Sequence, residues 1–209
     1  MNTPNIALYG NKETGKSTYS KWMKAEYGHQ IFSYAAGVRE LTAQIINEMA
    51  EAPVPWKETY KYIFLDKDRY TLYKSTTFQY YNYEFVDGMR AIMKGAGNGA
   101  RDSIGENVWV DALDNKLRKA GMNSPGGGCY VIDDCRYPNE ANSQQDRWEA
   151  IVIYLERPGS DIDHPSEQCE QYVKEGLVDP EYTLPYVRGA DGMEATKTRI
   201  REIIEEHAD

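Results

Sequence analysis

Between residues 10 and 17 the chain reads Gly10-Asn11-Lys12-Glu13-Thr14-Gly15-Lys16-Ser17, which meets G-x-x-x-x-G-K-[ST] at every fixed position. Few sequence features constrain a fold more tightly. The glycines let the backbone turn and approach phosphate oxygens closely. Successive N–H groups and the start of the next helix form an anion cradle. In that pattern Lys16 reaches the outer phosphates of a nucleoside triphosphate and the Ser17 hydroxyl ligates Mg²⁺. Gly10, Asn11, Lys12, Thr14, Gly15, Lys16, Ser17 and Thr18 are therefore the expected ATP-binding residues. The context is also right. The apolar run Asn5-Ile6-Ala7-Leu8-Tyr9 before the loop has the length of a buried strand, and a polar helix is expected from about Lys16 to Glu26.

The rest of the chain continues the alternation. Strands are expected at His29–Ser33, Cys129–Asp133, Ala150–Leu155 and, despite Pro185, Tyr182–Val187. Helices are expected at Val38–Met49, Val86–Lys94, Asn107–Lys119, Asn139–Trp148 and Thr196–Glu206. Gly95-Ala96-Gly97-Asn98-Gly99 is read as a flexible stretch, and Gly189–Gly192 as a turn. Short apolar strands separated by helices point to an α/β fold with a parallel sheet. A chain of 209 residues fits one domain. Residues 57–104 are set apart as a substrate-side insertion, Tyr-rich in its first part: seven of the 17 tyrosines lie between Tyr60 and Tyr83.

Charge narrows the partners. With 24 basic and 33 acidic residues, the net charge of −9 excludes an extended basic nucleic-acid surface but not a small basic cleft. No run of 18 apolar residues is long enough to span a membrane. The N-terminus lacks the pattern of a signal peptide. Three cysteines without a C-x-x-C pair argue against both a disulfide framework and a zinc site. A cytoplasmic protein with no membrane partner is the expectation.

A second acidic site follows the apolar run Val131-Ile132, where Asp133 and Asp134 stand at a strand end. A phosphate-loop protein can present a carboxylate there to Mg²⁺ or its waters. Asp134 is assigned that role together with Ser17. The plainer reading is that Asp134 caps the next helix or pairs with Arg136. Asp133 is the more ambiguous of the two.

Asp134-Cys135-Arg136-Tyr137-Pro138-Asn139-Glu140-Ala141 resembles the D-[VC]-R-[FY]-P-N-E motif of phage-type deoxynucleoside monophosphate kinases. Phe32-Ser33-Tyr34-Ala35 with Val38-Arg39-Glu40 is similar to that family's segment after the second strand. Arg101 with Gly105-Glu106-Asn107-Val108-Trp109-Val110, and Asp163-His164-Pro165-Ser166-Glu167, resemble two more of its segments. The match runs in order over most of the chain. It departs at Gly97-Asn98-Gly99, where the family has G-T-E, and the Tyr-rich segment has no counterpart. Both departures bear on the acceptor.

The resemblance implies a P-loop kinase-like three-layer sandwich using ATP and Mg²⁺, with a small-molecule nucleotide as acceptor. If the chain is phage-encoded, it would act in the host cytoplasm. Kinases of this family are often dimers, so a homodimer is carried as an expectation. Lys16, Arg101, Arg136 and Asp134 form the implied catalytic set. Arg39, Arg101, Trp109, His164 and Glu167 are implied on the acceptor side. Planar guanidinium groups suit phosphate because they grip two oxygens at once. Arg157 is a further candidate. For each arginine the plainer reading is a surface ion pair. Trp109 has a packing role as its plainer reading, and Asp163 and Glu167 have helix capping. The leading expectation is transfer of the ATP γ-phosphate to a deoxynucleoside 5′-monophosphate. One alternative is phosphorylation of a hydroxymethylated pyrimidine in DNA, the only reading with DNA as a partner. A second is a nucleotide-binding ATPase or regulator.

Overall fold

The computed structural model describes residues 3–49, 83–122, 128–157, 168–187 and 189–208, with side chains at all of these except 43–49 and 83–91. In chain order the elements are β1 (Ile6–Tyr9), α1 (Lys16–Tyr27), β2 (Gln30–Phe32), α2 (Tyr34–Met49), α3 (Tyr83–Ile104), α4 (Val108–Lys119), β3 (Tyr130–Cys135), α5 (Pro138–Trp148), β4 (Ile151–Glu156), α6 (Cys169–Lys174), β5 (Tyr182–Pro185) and α7 (Ala190–Glu206). The chain divides into two compact units, residues 1–34 with 110–209, and residues 35–109.

In the first unit the strands form one parallel sheet in the order β2-β3-β1-β4-β5. The central strands are apolar on both faces because helices cover both. Residues alternate between the faces. Ile6, Leu8, Val131, Ile151, Ile153 and Leu155 pack with Tyr19 and Met23 of α1 and with Ile200, Ile203 and Ile204 of α7. Fully burying each such side chain stabilises the fold by about 1.5–3 kcal/mol. The opposite face carries Tyr9, Tyr130 and Tyr154, with Tyr9 and Tyr154 ring centroids 5.8 Å apart and Tyr130 6.2 Å from Trp148 of α5. This is the expected three-layer α/β sandwich with a central parallel sheet.

Several polar groups beneath the second face are linked in series. Tyr130 Oη donates to Gln144 Oε1 at 2.9 Å, Gln144 Nε2 donates to Tyr34 Oη at 3.0 Å, and Tyr34 Oη donates to the Glu140 carbonyl at 2.9 Å. Buried Asp114 accepts from Arg147 Nη1 at 2.7 Å and Trp148 Nε1 at 2.8 Å, tying α4 to α5. The tyrosines of this face are thus core residues with partnered or buried hydroxyls.

Burial pushes the Cys135 thiol and the Tyr9, Tyr34 and Tyr130 phenols above their ordinary values. Each contributes stability that is complete below its unfolded pKa, about 8.5 for Cys and 10 for Tyr. That stability is lost as pH rises toward the folded value, by up to about 1.4 kcal/mol per pH unit and per group. Thermal melting should therefore decline from about pH 8.5 and more steeply above pH 10. Cys135→Ala should flatten the first part of that decline, and an unchanged slope there would contradict this account.

Two glycine-rich stretches are helical where the sequence suggested none. α3 runs unbroken through Gly95, Gly97 and Gly99 to Ile104. Glycine weakens a helix by about 1 kcal/mol relative to Ala but does not forbid it. Within the second unit, Trp109 Nε1 donates to the Gly97 carbonyl at 3.0 Å, and a Cβ on Gly97 would stand 3.5 Å from Val38 Cγ1. α7 begins at Ala190, six residues before the expected Thr196. There Gly192 is needed, because a Cβ would overlap the Val187 carbonyl. The two glycines should respond oppositely to Ala. Gly99, where an added methyl would meet nothing within 4 Å, should gain about 0.5–1 kcal/mol. Gly192→Ala should destabilise despite the better propensity. Denaturant unfolding of both variants checks the signs.

Candidate functional site

Strand β1 ends at Tyr9 on the carboxyl edge of the sheet. Gly10 leaves it with its N–H donating to the Cys135 carbonyl at 3.2 Å. The loop that follows needs unusual backbone. Gly10 and Gly15 have φ of 145° and 91°, and a Cβ would stand 2.8 Å from the Leu155 carbonyl oxygen at Gly10 and 2.7 Å from the Tyr19 ring at Gly15. Glu13 also takes a left-handed φ of 61°. The first α1 hydrogen bonds run from Thr18 N and Tyr19 N to the Gly15 carbonyl, so earlier N–H groups face the loop.

Lys16 is buried, and its ammonium lies across the inside of the loop. It donates to the Gly10 carbonyl, to the Asn11 carbonyl at 2.5 Å and to Thr14 Oγ1 at 3.4 Å. Thr14 Oγ1 in turn donates to the Asn11 carbonyl at 3.0 Å. The Asn11 side chain points away from this interior: its Oδ1 accepts the Cys169 N–H at 3.1 Å and fixes the loop to the start of α6. Ser17 and Thr18 are exposed at the first turn of α1, and Lys12 is exposed on the loop.

The carboxylate beside the loop serine is Asp133. Ser17 Oγ donates to Asp133 Oδ2 at 3.4 Å, and Asp133 is 3% exposed. Asp134, the residue expected from the sequence to take the metal role, faces the other side of β3. It accepts from Ser33 Oγ at 2.5 Å and from Tyr34 N at 2.8 Å, where a carboxylate favours the start of α2. Strand alternation separates the two acids: Asp133 shares a face with Val131 and α1, Asp134 with Ile132.

Arg136 follows β3 at the same edge. Its backbone N–H and that of Tyr137 donate to Glu140 Oε2 at 2.9 and 3.2 Å, which fixes the start of α5. Arg157, just past β4, pairs with Glu13 at 2.8 Å and lies 5.4 Å over the Tyr186 ring. The hydrogen bond from Arg157 and its charge hold the Glu13 carboxyl below the usual range. The loop, Ser17, Asp133, Arg136 and Arg157 thus all belong to the first unit. Glu13 was not singled out in the sequence, since the motif leaves its position unconstrained.

Arg39, Arg101 and Trp109 belong to the second unit. Arg39 on α2 is 8% exposed, Arg101 Nη1 donates to the Glu106 carbonyl at 3.2 Å, and Trp109 is buried with its indole N–H on Gly97. His164 and Glu167 lie outside the described residues, as does most of the Tyr-rich segment.

The donor set suits a magnesium nucleotide. The loop offers an ammonium and backbone N–H groups to phosphate. Ser17 and Asp133 offer hard oxygens of the kind Mg²⁺ takes when phosphates complete its shell. Among the described residues no cluster of three or more His, Cys, Asp or Glu forms a dedicated metal cage. Also among them, no helix is long and apolar enough to cross a membrane.

A parallel sheet in the order β2-β3-β1-β4-β5, with a glycine-bounded phosphate loop between the first strand and the first helix, defines an α/β P-loop fold. No protein-family model matches the chain, and no curated protein matches it. Among solved structures, it is similar to a shikimate kinase from Acinetobacter baumannii in complex with shikimate, at 12% identity and a TM-score of 0.42, over 99% of this chain and 96% of that one.

Proposed function

We propose that the chain is an ATP-dependent phosphotransferase that moves the γ-phosphate of ATP onto a deoxynucleoside 5′-monophosphate, giving the diphosphate. The observation that carries the reading is the placement of Lys16, Ser17 and Asp133 about one glycine-bounded loop. The choice of acceptor is supported by the sequence resemblance, through Asp134–Ala141, Arg39 and Arg101.

Phosphoryl transfer asks a protein for positioning and charge neutralisation rather than covalent help. In this reading Lys16 turns from the loop carbonyls to the β- and γ-phosphate oxygens, and the loop N–H groups hold the β-phosphate. Ser17 and Asp133 would hold Mg²⁺, which when bound neutralises phosphate charge. Asp133 orients the Ser17 hydroxyl. Arg136 stabilises charge on the migrating phosphoryl group. Arg39 and Arg101 are the residues that the sequence resemblance offers to the acceptor phosphate. Asp134 serves by anchoring the start of α2, the helix that carries Arg39.

The acceptor is tested by competition. The chain is given γ-labelled ATP, Mg²⁺, a mixture of free deoxynucleoside monophosphates and duplex DNA containing hydroxymethylated pyrimidines, over a range of salt. Label should enter free nucleotide with little salt dependence. Label entering DNA alone, falling steeply with salt as phosphate-backbone binding requires, would overturn the reading.

A further inference from the structure

The phosphate loop occupies the carboxyl edge of the sheet. At the amino edge, one strand-length of about 20 Å away, a second constellation has no part in the chemistry above. Gln30 and Tyr130 are paired in register, and Gln30 N donates to the Cys129 carbonyl at 2.9 Å. His29 and Cys129, one residue earlier on the two strands, therefore stand side by side. They share the sheet face of Ile31 and Val131, on backbones about 4.8 Å apart.

His29 is fully buried. Its Nε2 lies 3.0 Å from the Pro4 carbonyl, an acceptor only, so Nε2 carries the ring proton. Nδ1 is then a bare acceptor, and no well-formed hydrogen bond reaches it. A buried acceptor left in that state is costly, and the group beside it is a thiol that can supply a proton. Cys129 is half-buried, whereas Cys135 and Cys169 are fully buried. Burial alone would raise the Cys129 thiol, but its interactions with His29 and Thr3 outweigh that and lower the thiol below its ordinary value. Among the described residues, the titratable groups facing the thiol are His29 and, behind it, Tyr27, whose ring meets the imidazole edge-on at 6.1 Å.

We propose that Cys129 is a modification site for small disulfides, with His29 as the base that takes its proton. The Cys129 thiol gives its proton to His29 Nδ1, leaving a thiolate beside an imidazolium. The thiolate sulfur attacks one sulfur of the disulfide, the S–S bond breaks, and a mixed disulfide forms on Cys129. The departing thiolate takes the proton from His29. Cys129 is oxidised and the small disulfide is reduced by the same two electrons. The loop and Lys16 take no part, so the inference is independent of the function proposed above.

The test is the rate of reaction of the native full-length chain with 5,5′-dithiobis(2-nitrobenzoate) as a function of pH. One thiol per chain should react rapidly and two slowly, and Cys129→Ser should remove the fast phase alone. Its pH midpoint should fall below the ordinary thiol value of about 8.5. His29→Asn should move that midpoint up and slow the reaction at pH 7 by about tenfold, as expected where thiolate fraction sets the rate. A fast phase that survives Cys129→Ser, or a wild-type midpoint at or above 8.5, overturns the proposal. So does a midpoint unmoved in a His29→Asn chain that still protects two thiols. If His29→Asn exposes all three thiols by unfolding, the wild-type profile and Thr3→Val decide, the latter expected to raise the midpoint by a smaller step.

Discussion

Lys16→Ala should lower phosphoryl transfer by at least about 10²–10³-fold, the scale for removing one preorganised charged donor from a transition state. The fold should survive, because the hydrogen bonds of the ammonium to Gly10, Asn11 and Thr14 lie within its own loop. The sheet core does not depend on it. Far-UV circular dichroism and melting should stay near wild type while steady-state transfer is lost. Lys16→Arg keeps the charge but places a wide planar fork in a site shaped for a point charge, so it should recover little. A Lys16→Ala chain that still transfers phosphate at a wild-type rate would remove the loop from the mechanism.

The second large effect separates the two aspartates. Asp133→Asn should weaken Mg²⁺ activation by about 10–100-fold, as expected when a partner that orients a metal ligand is lost. The requirement should appear as a shift in the Mg²⁺ concentration for half-maximal rate. Asp134→Asn should leave that concentration unchanged. Its cost is charge at the start of α2, about 0.5–1 kcal/mol of stability, since an amide oxygen can still accept from Tyr34 N. Melting curves and Mg²⁺ titrations of the two variants together give a crossed pattern. A metal shift in Asp134→Asn and none in Asp133→Asn would reverse the roles assigned to the two residues.

That pair also marks a limit of what the sequence makes legible. The resemblance to D-[VC]-R-[FY]-P-N-E draws attention to Asp134, because it opens the motif. Strand parity points elsewhere: Val131 packs with Ile6 and Leu8 under α1, so Asp133, two residues on, must face the helix that begins at Lys16. The sheet itself is plain in the sequence. Its three central strands carry the apolar runs Ile6–Tyr9, Tyr130–Ile132 and Ile151–Leu155, and the loop between the first strand and helix is fixed by spacing. The unbroken α3 is not plain. Local propensity argues against a helix through three glycines, and what opposes it is contact with the next helix, such as the hydrogen bond of Trp109 to the Gly97 carbonyl twelve residues back. The early start of α7 is a local matter that periodicity does not show: Val187, five residues before Gly192, lies so close that only glycine fits there. The short helix α6 carries no periodic signal at all, being six residues long. Its importance lies in Cys169 N on Asn11, a contact between residues 158 positions apart.

If the phosphate loop carries phosphate from ATP to a free nucleotide, the transfer can be followed directly. The most direct measurement traces γ-labelled phosphate in a single reaction with Mg²⁺ and an equimolar panel of deoxynucleoside monophosphates, separating diphosphates from inorganic phosphate. Label is predicted in one or a few deoxynucleoside diphosphates, dependent on Lys16, with little released as inorganic phosphate. Steady release of inorganic phosphate at the same rate with or without any acceptor would contradict that mechanism and leave an ATPase in its place.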